Sequence, residues 1–180
     1  MHLLHLRNLV VAVVLLQGAS LAEPPTLPVD ATSFAVYRAI LDVNTTKPVL
    51  LQRETTMWPP PFNGCGGSFL AGLSGEWQEA ARDFAQKNAH VWLLPAALPF
   101  KYEFIRQAEI EAHDAPLREK YRGYNGIPGA VEYAALSAVG FNAAKTKAIV
   151  YRRLHDGEDL NTLELLNGQW MRRAGCGGRS

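Results

Sequence analysis

From Glu132 to Ala174 the chain runs in alternating apolar and polar residues cut by tight-turn signals, and this pattern limits the fold more than any other feature. In Thr146–Leu154, Ala148, Val150, Arg152 and Leu154 share one face of an extended strand, and Lys147, Ile149, Tyr151 and Arg153 the other. Both faces are apolar over the first half, which suits a central strand. His155-Asp156-Gly157-Glu158-Asp159 gathers residues that tolerate turn conformations and reads as a solvated hairpin turn. The next run, Leu160 to Leu166, stops at Asn167-Gly168, where both residues accept the positive φ of a type I′ turn, and Gln169 to Ala174 returns as a last strand. Upstream, Tyr133 to Phe141 reads as a strand that turns through Asn142–Lys145. These four runs predict a C-terminal four-stranded meander.

Helical spacing occurs earlier. Asp30 or Thr32 can cap a helix to about Val43 on which Phe34, Tyr37, Ile40 and Leu41 form the apolar stripe. Ser74 can cap a second, with Trp77, Ala80, Ala81, Phe84 and Asn88 on one stripe. Val49–Thr56, Val91–Leu94 and Tyr102–Ile105 suit strands, and Pro116–Tyr121 a short helix with proline at its favoured first position. The fold class expected is α+β, with helices packed on a mostly antiparallel sheet.

The first 22 residues read as a secretory signal peptide. Arg7 precedes an apolar run from Leu9 to Leu16, too short to span a bilayer, and Ser20 and Ala22 are the small residues a signal peptidase needs. Cleavage after Ala22 leaves residues 23–180 as a single secreted α+β domain, of a size that buries roughly 70% of its unfolded surface. Glu23–Val29, with three prolines, is expected to be an extended, mobile N-terminal lead. Processing removes one base, Arg7, from eighteen and leaves seventeen against seventeen acids. Such balance provides no global field for nucleic acid or an anionic membrane, so neither nucleic-acid binding nor stable membrane insertion is expected after signal removal.

Several of these segments together resemble a family of uncharacterised exported bacterial proteins: Ser137-Ala138-Val139-Gly140-Phe141-Asn142, Thr146 to Tyr151, and Leu163-Glu164 followed by Gly168-Gln169-Trp170. Weaker similarity reaches Asp83-Phe84 to Asn88 and Lys120-Tyr121. The family often carries a Cys-Gly pair after the Val-Tyr strand, where this chain has His155 to Asp159. The resemblance implies a periplasmic or extracellular α+β protein without an established activity.

An exported chain with two cysteines, Cys65 and Cys176, is expected to join them, since disulfides persist outside the cytoplasm. The competing reading makes Cys65, among glycines, a thiol nucleophile activated by a histidine. Met57 to Gly67 contains three consecutive prolines and four glycines or asparagines and must be a loop; Trp58, Phe62 and Ser68 mark it as a possible interaction loop. His155 with Asp156, Glu158 and Asp159 lacks the ligand spacing of a calcium loop. His90 and His113 are isolated. Glu54, Glu103, Glu109 and Glu111 could supply a carboxylate pair but read as solvated charges. Ser68 lacks a nucleophile elbow, and the glycines around Cys65 lack the lysine of a phosphate loop. No cofactor or metal is expected. The function expected is non-catalytic binding of a protein or cell-envelope partner, with a small exported hydrolase using Cys65 or an acidic residue with a histidine as the alternative.

Overall fold

The computed structural model describes residues 23–41, 49–57, 66–106, 133–154 and 157–179. Among them the fold is mixed α+β and dominated by a mostly antiparallel sheet of seven strands. The strands are β1 (Val49–Gln52), β2 (Tyr102–Ile105), β3 (Tyr133–Leu136), β4 (Gly140–Phe141), β5 (Lys147–Leu154), β6 (Gly157–Leu166) and β7 (Gln169–Arg179). Their order is β2-β1-β3-β5-β6-β7, with β4 pairing β5 alongside. β1 runs parallel to both β2 and β3; every other pairing is antiparallel. β5 is the central strand its two apolar faces predict.

The two faces of the sheet bury different clusters. On one, Ala134, Leu136, Ala148, Val150 and Leu163 meet Val36, Tyr37 and Ile40 of α1 (Ala31–Ile40). On the other, Ile149, Tyr151, Leu160 and Cys176 meet Ala80 and Phe84 of α3 (Glu76–Lys87), with Phe69 and Leu70 of α2 (Gly66–Ala71) alongside. The alternation in β5 is what feeds both clusters. Burying each large apolar side chain is worth about 1.5–3 kcal/mol, so the strand is held from both sides.

Helix α1 begins as its cap residue dictates: the Asp30 carboxylate accepts the Ser33 N–H at 2.9 Å. It stops at Ile40, short of Val43, because Leu41 is already extended. Helix α3 is not capped by Ser74. Gly75 is the cap residue, at φ 58°, and no side chain caps the helix. The left-handed conformation lets the chain reverse between α2 and α3, a geometry serine resists.

Further expectations are corrected. Val91–Leu94 is no strand; Leu93 makes isolated bridges to Thr26 and Glu54. For the same reason Glu23–Val29 is no free lead: Leu27 donates to the Leu93 carbonyl, Leu93 donates to that of Pro25, and the Leu27 side chain is buried. Gly66, Gly67 and Ser68 lie in α2 rather than in a loop. Glu158 and Asp159 belong to β6, and β7 runs on past Ala174 to Arg179. The run from Tyr133 to Phe141 is broken at Ser137–Val139 into β3 and β4. Side chains take the ladder's place there: Ser137 Oγ accepts the Tyr151 N–H, while Asn88 bonds both the N–H and the carbonyl of Ala138. The Pro116–Tyr121 segment lies outside the described residues.

Candidate functional site

Ser137–Asn142 proves to be a structural node. Asn88 is fully buried; its amide donates to the carbonyls of Phe84 (2.8 Å) and Ala138 (2.9 Å) and accepts from the Ala138 N–H (2.8 Å). Tyr37, whose hydroxyl pKa burial pushes up, donates to the Ser137 carbonyl at 3.0 Å. Asp83 accepts the Phe141 N–H at 2.7 Å and Lys87 Nζ at 2.6 Å. Asn142 Oδ1 accepts the N–H groups of Thr146 and Lys147, closing the turn that Lys145 completes at φ 51°. A Cβ at Gly140 would lie 2.5 Å from the Ala80 carbonyl oxygen and closer still to Phe84, so only glycine lets α3 sit against β4. Most of these side chains spend at least one bond on the backbone of the node, which fixes how α3 and β4 meet.

A cleft of about 520 Å³ lies beside the node, lined among others by Val29, Asp30, Asp83, Lys87, Phe141 and Lys145. Lys145 pairs with Asp30 and holds its carboxyl down at about 2. Lys87 and Lys145 flank the Phe141 ring, 5.5 and 5.8 Å from its centroid. The volume suits a small ligand. Its charges, however, already pair with each other across the walls.

The outer ribbon is built differently. Asn167 and Gly168 take the predicted positive φ, 51° and 78°, and reverse β6 into β7. β7 is eleven residues long, and at the sheet's margin β6 is its one partner among the described residues. Apart from half-buried Trp170 and buried Cys176, its residues from Gln169 to Gly178 are exposed. Leu166 and Met171, two of the large apolar side chains most exposed, sit at its turn. A bulge adds a residue where Arg172–Ala174 faces Thr162 and Leu163.

Two shared carboxylates tie this ribbon together. Asp159 receives Arg152 through Nε at 3.1 Å and a second guanidinium nitrogen at 2.8 Å, while Arg172 stands 3.6 Å away. Arg152 also donates to the Ile40 carbonyl at the end of α1. Glu164, its pKa lowered chiefly by a hydrogen bond from Lys147, also meets Arg173 at 3.0 Å. Tyr151 donates to Glu158, and burial followed by that carboxylate pushes its hydroxyl pKa up. Beyond them Arg152, Leu154, Gly157, Asp159, Gly177 and Gly178 surround a second cavity of about 430 Å³.

The residues marked from sequence are scattered. Trp58, Phe62 and Cys65 lie outside the described residues, as do His113, His155, Asp156, Glu109 and Glu111. Ser68 is exposed on α2, and His90 is exposed after α3. Cys176 is buried in the α3-side cluster. Glu103 is exposed on β2, and Glu54 follows β1 at a bridge to Leu93. What the pattern of the sequence left unread is the β7 margin: strand pairing decides which strand ends a sheet. The run of arginines and glycines from Arg172 to Arg179 was its one local sign. Among the described residues no group of three or more histidine, cysteine, aspartate and glutamate side chains could hold a metal ion, and no helix is long and apolar enough to cross a membrane.

Comparison with protein families, with characterised proteins and with solved structures finds no match to this chain.

Proposed function

We propose that this protein is exported and acts in the periplasm or outside the cell as a non-catalytic binding protein, and that its partner docks along the outer margin of β7. The carrying observation is the contrast between the two sheet margins. β2 offers four residues, β7 eleven, most of them exposed. A long margin with no further strand among the described residues presents a row of backbone donors and acceptors to which an extended segment can add as another strand. The resemblance to exported bacterial proteins and the signal-like first 22 residues support the location.

The same reading joins Cys65 to Cys176. Among the described residues no cysteine is a free thiol, and Cys176 is buried against Leu160 and Phe84, where a bridge would anchor the inner half of β7. Helices packed on the sheet, and a C-terminal four-stranded meander whose first strand is interrupted, belong to this reading too. The two buried clusters and the antiparallel pairings from β3 to β7 support them.

The test is photo-crosslinking in the producing cell, with the crosslinker placed at Gln169 or Ala174 on β7 and, for comparison, at Glu103 on β2. Adducts from β7 and none from β2 are expected, on a chain whose N-terminus is Glu23. No adduct from β7, or equal adducts from both margins, would overturn the docking surface; a retained Met1 would overturn export.

A further inference from the structure

Resting on that reading, we propose that the segment β7 receives is acidic: an extended, carboxylate-bearing stretch of another protein that adds to β7 as an eighth strand. The first reason is where the charge lies. The whole chain carries a net +1, yet strands β5, β6 and β7 hold six bases (Lys147, Arg152, Arg153, Arg172, Arg173, Arg179) against three acids (Glu158, Asp159, Glu164). β7 itself has three arginines and no acid.

The second reason is which bases remain accessible. Each shared carboxylate serves an inner base and an outer one. Asp159 is held in a fork by Arg152, whose side chain is only 14% exposed, so Arg172 stands at 3.6 Å, beyond hydrogen-bond distance. Glu164 binds Lys147, 15% exposed, before it meets Arg173. Arg172 and Arg173 are 51% and 55% exposed. The surplus positive charge therefore sits on the outermost described strand, beside an edge that no described strand pairs. An arginine offers five N–H donors in a fixed fork that fits a carboxylate.

The third reason is room. A Cβ at Gly175 would lie 2.5 Å from the Arg172 guanidinium, so glycine there lets that side chain lie flat along the strand. Gly177 and Gly178 line the 430 Å³ cavity at the far end together with Arg152, Glu158 and Asp159, and leave room there for an uncharged side chain of the added strand. A second copy of this chain is the wrong occupant. Pairing β7 with itself would bring together two edges that each carry three arginines and no acid, and like charges across a strand pair repel.

Four probes are titrated against the full mature chain: a ten-residue peptide of alternating glutamate and valine, its lysine-for-glutamate counterpart, the acidic peptide N-methylated at alternate residues, and a single-stranded DNA of equal charge. The acidic peptide is expected to bind at least ten-fold more tightly than each of the others, to slow amide exchange from Gln169 to Gly178, and to weaken as salt rises. Arg172→Gln with Arg173→Gln is expected to lose ten-fold in affinity and most of the salt dependence. A single Arg173→Gln, whose removal leaves Glu164 paired to Lys147, should lose less while keeping the native urea midpoint. Equal binding of the lysine peptide or of DNA would overturn the proposal, as would unchanged affinity of the N-methylated peptide, protection outside β7, or a β7-mediated dimer in sedimentation. If acidic peptides fail while β7 still crosslinks in cells, only the acidic partner is excluded; if β7 also yields no adduct, the docking surface fails with it.

Discussion

The Ser137–Asn142 node and the β7 margin lie in one sheet yet use their polar groups in opposite ways. In the node buried side chains are matched to backbone partners inside the protein: Asn88 to Ala138, Ser137 to Tyr151, Asp83 to Phe141. At the margin two arginines share acids that already serve other bases, and among the described residues a row of backbone groups has no strand beside it. Saturated groups specify a fold, because leaving one unpaired costs the desolvation of that group. Unsaturated groups at a surface specify partners. The distinction separates the part of the chain that holds the sheet together from the part that is proposed to bind.

The comparison is broken most directly at Gly140. Gly140→Val forces a side chain into backbone atoms of α3 and is expected to cost at least about 3 kcal/mol or to abolish folding, read from urea denaturation. A valine that left the midpoint unchanged would mean that α3 does not rest on β4. Next in size, Asn88→Ala strands the N–H and carbonyl of Ala138 and should cost about 2–4 kcal/mol by the same measurement.

Between node and margin stands Arg152. Its Arg152→Met variant leaves Asp159 the Asn161 amide and, as its cation, the more distant Arg172, and should lose about 1–3 kcal/mol, less than Asn88→Ala because Asp159 keeps these partners. A loss matching that of Asn88→Ala would show the ribbon to be as tightly specified as the node.

A smaller effect is expected at acid pH. Asp30, brought from its ordinary 3.8 to about 2 chiefly by Lys145, contributes its stability fully above pH 3.8 and loses it as pH falls toward 2. Asp30→Asn should therefore lose less stability than the parent across that window, by under about 1 kcal/mol, since the pair is about half exposed and water screens it. Parallel curves for the two proteins would remove the pair from any role. Least of all, Gly178→Ala meets no atom within 4 Å and should shift stability by no more than about 0.5 kcal/mol.

Local signals were legible wherever one residue's chemistry decides a conformation. Asp30 caps α1, Asn167-Gly168 turns β6 into β7, and the two apolar faces of Thr146–Leu154 mark the central strand. Signals failed where a distant partner competes. Nothing near Ser137 announces that Asn88, about fifty residues away, takes the bonds of Ala138 and splits the strand. Glu158 and Asp159 look like turn residues until Tyr151 and Arg152 appear opposite them in the next strand. The proline-rich lead looks free until Leu93 supplies its hydrogen bonds.

By itself, then, the sequence determined the class of the fold, the central strand, the tightest turn and the start of the first helix, because each follows from the period of side chains or from the φ that one residue tolerates. The tertiary structure alone decided which strand became a margin and which arginines were left outermost. It also made the Ser137–Asn142 segment a scaffold. Those outcomes depend on partners far apart along the chain, and a hydrogen bond or ion pair exists only once folding has brought both of its halves together.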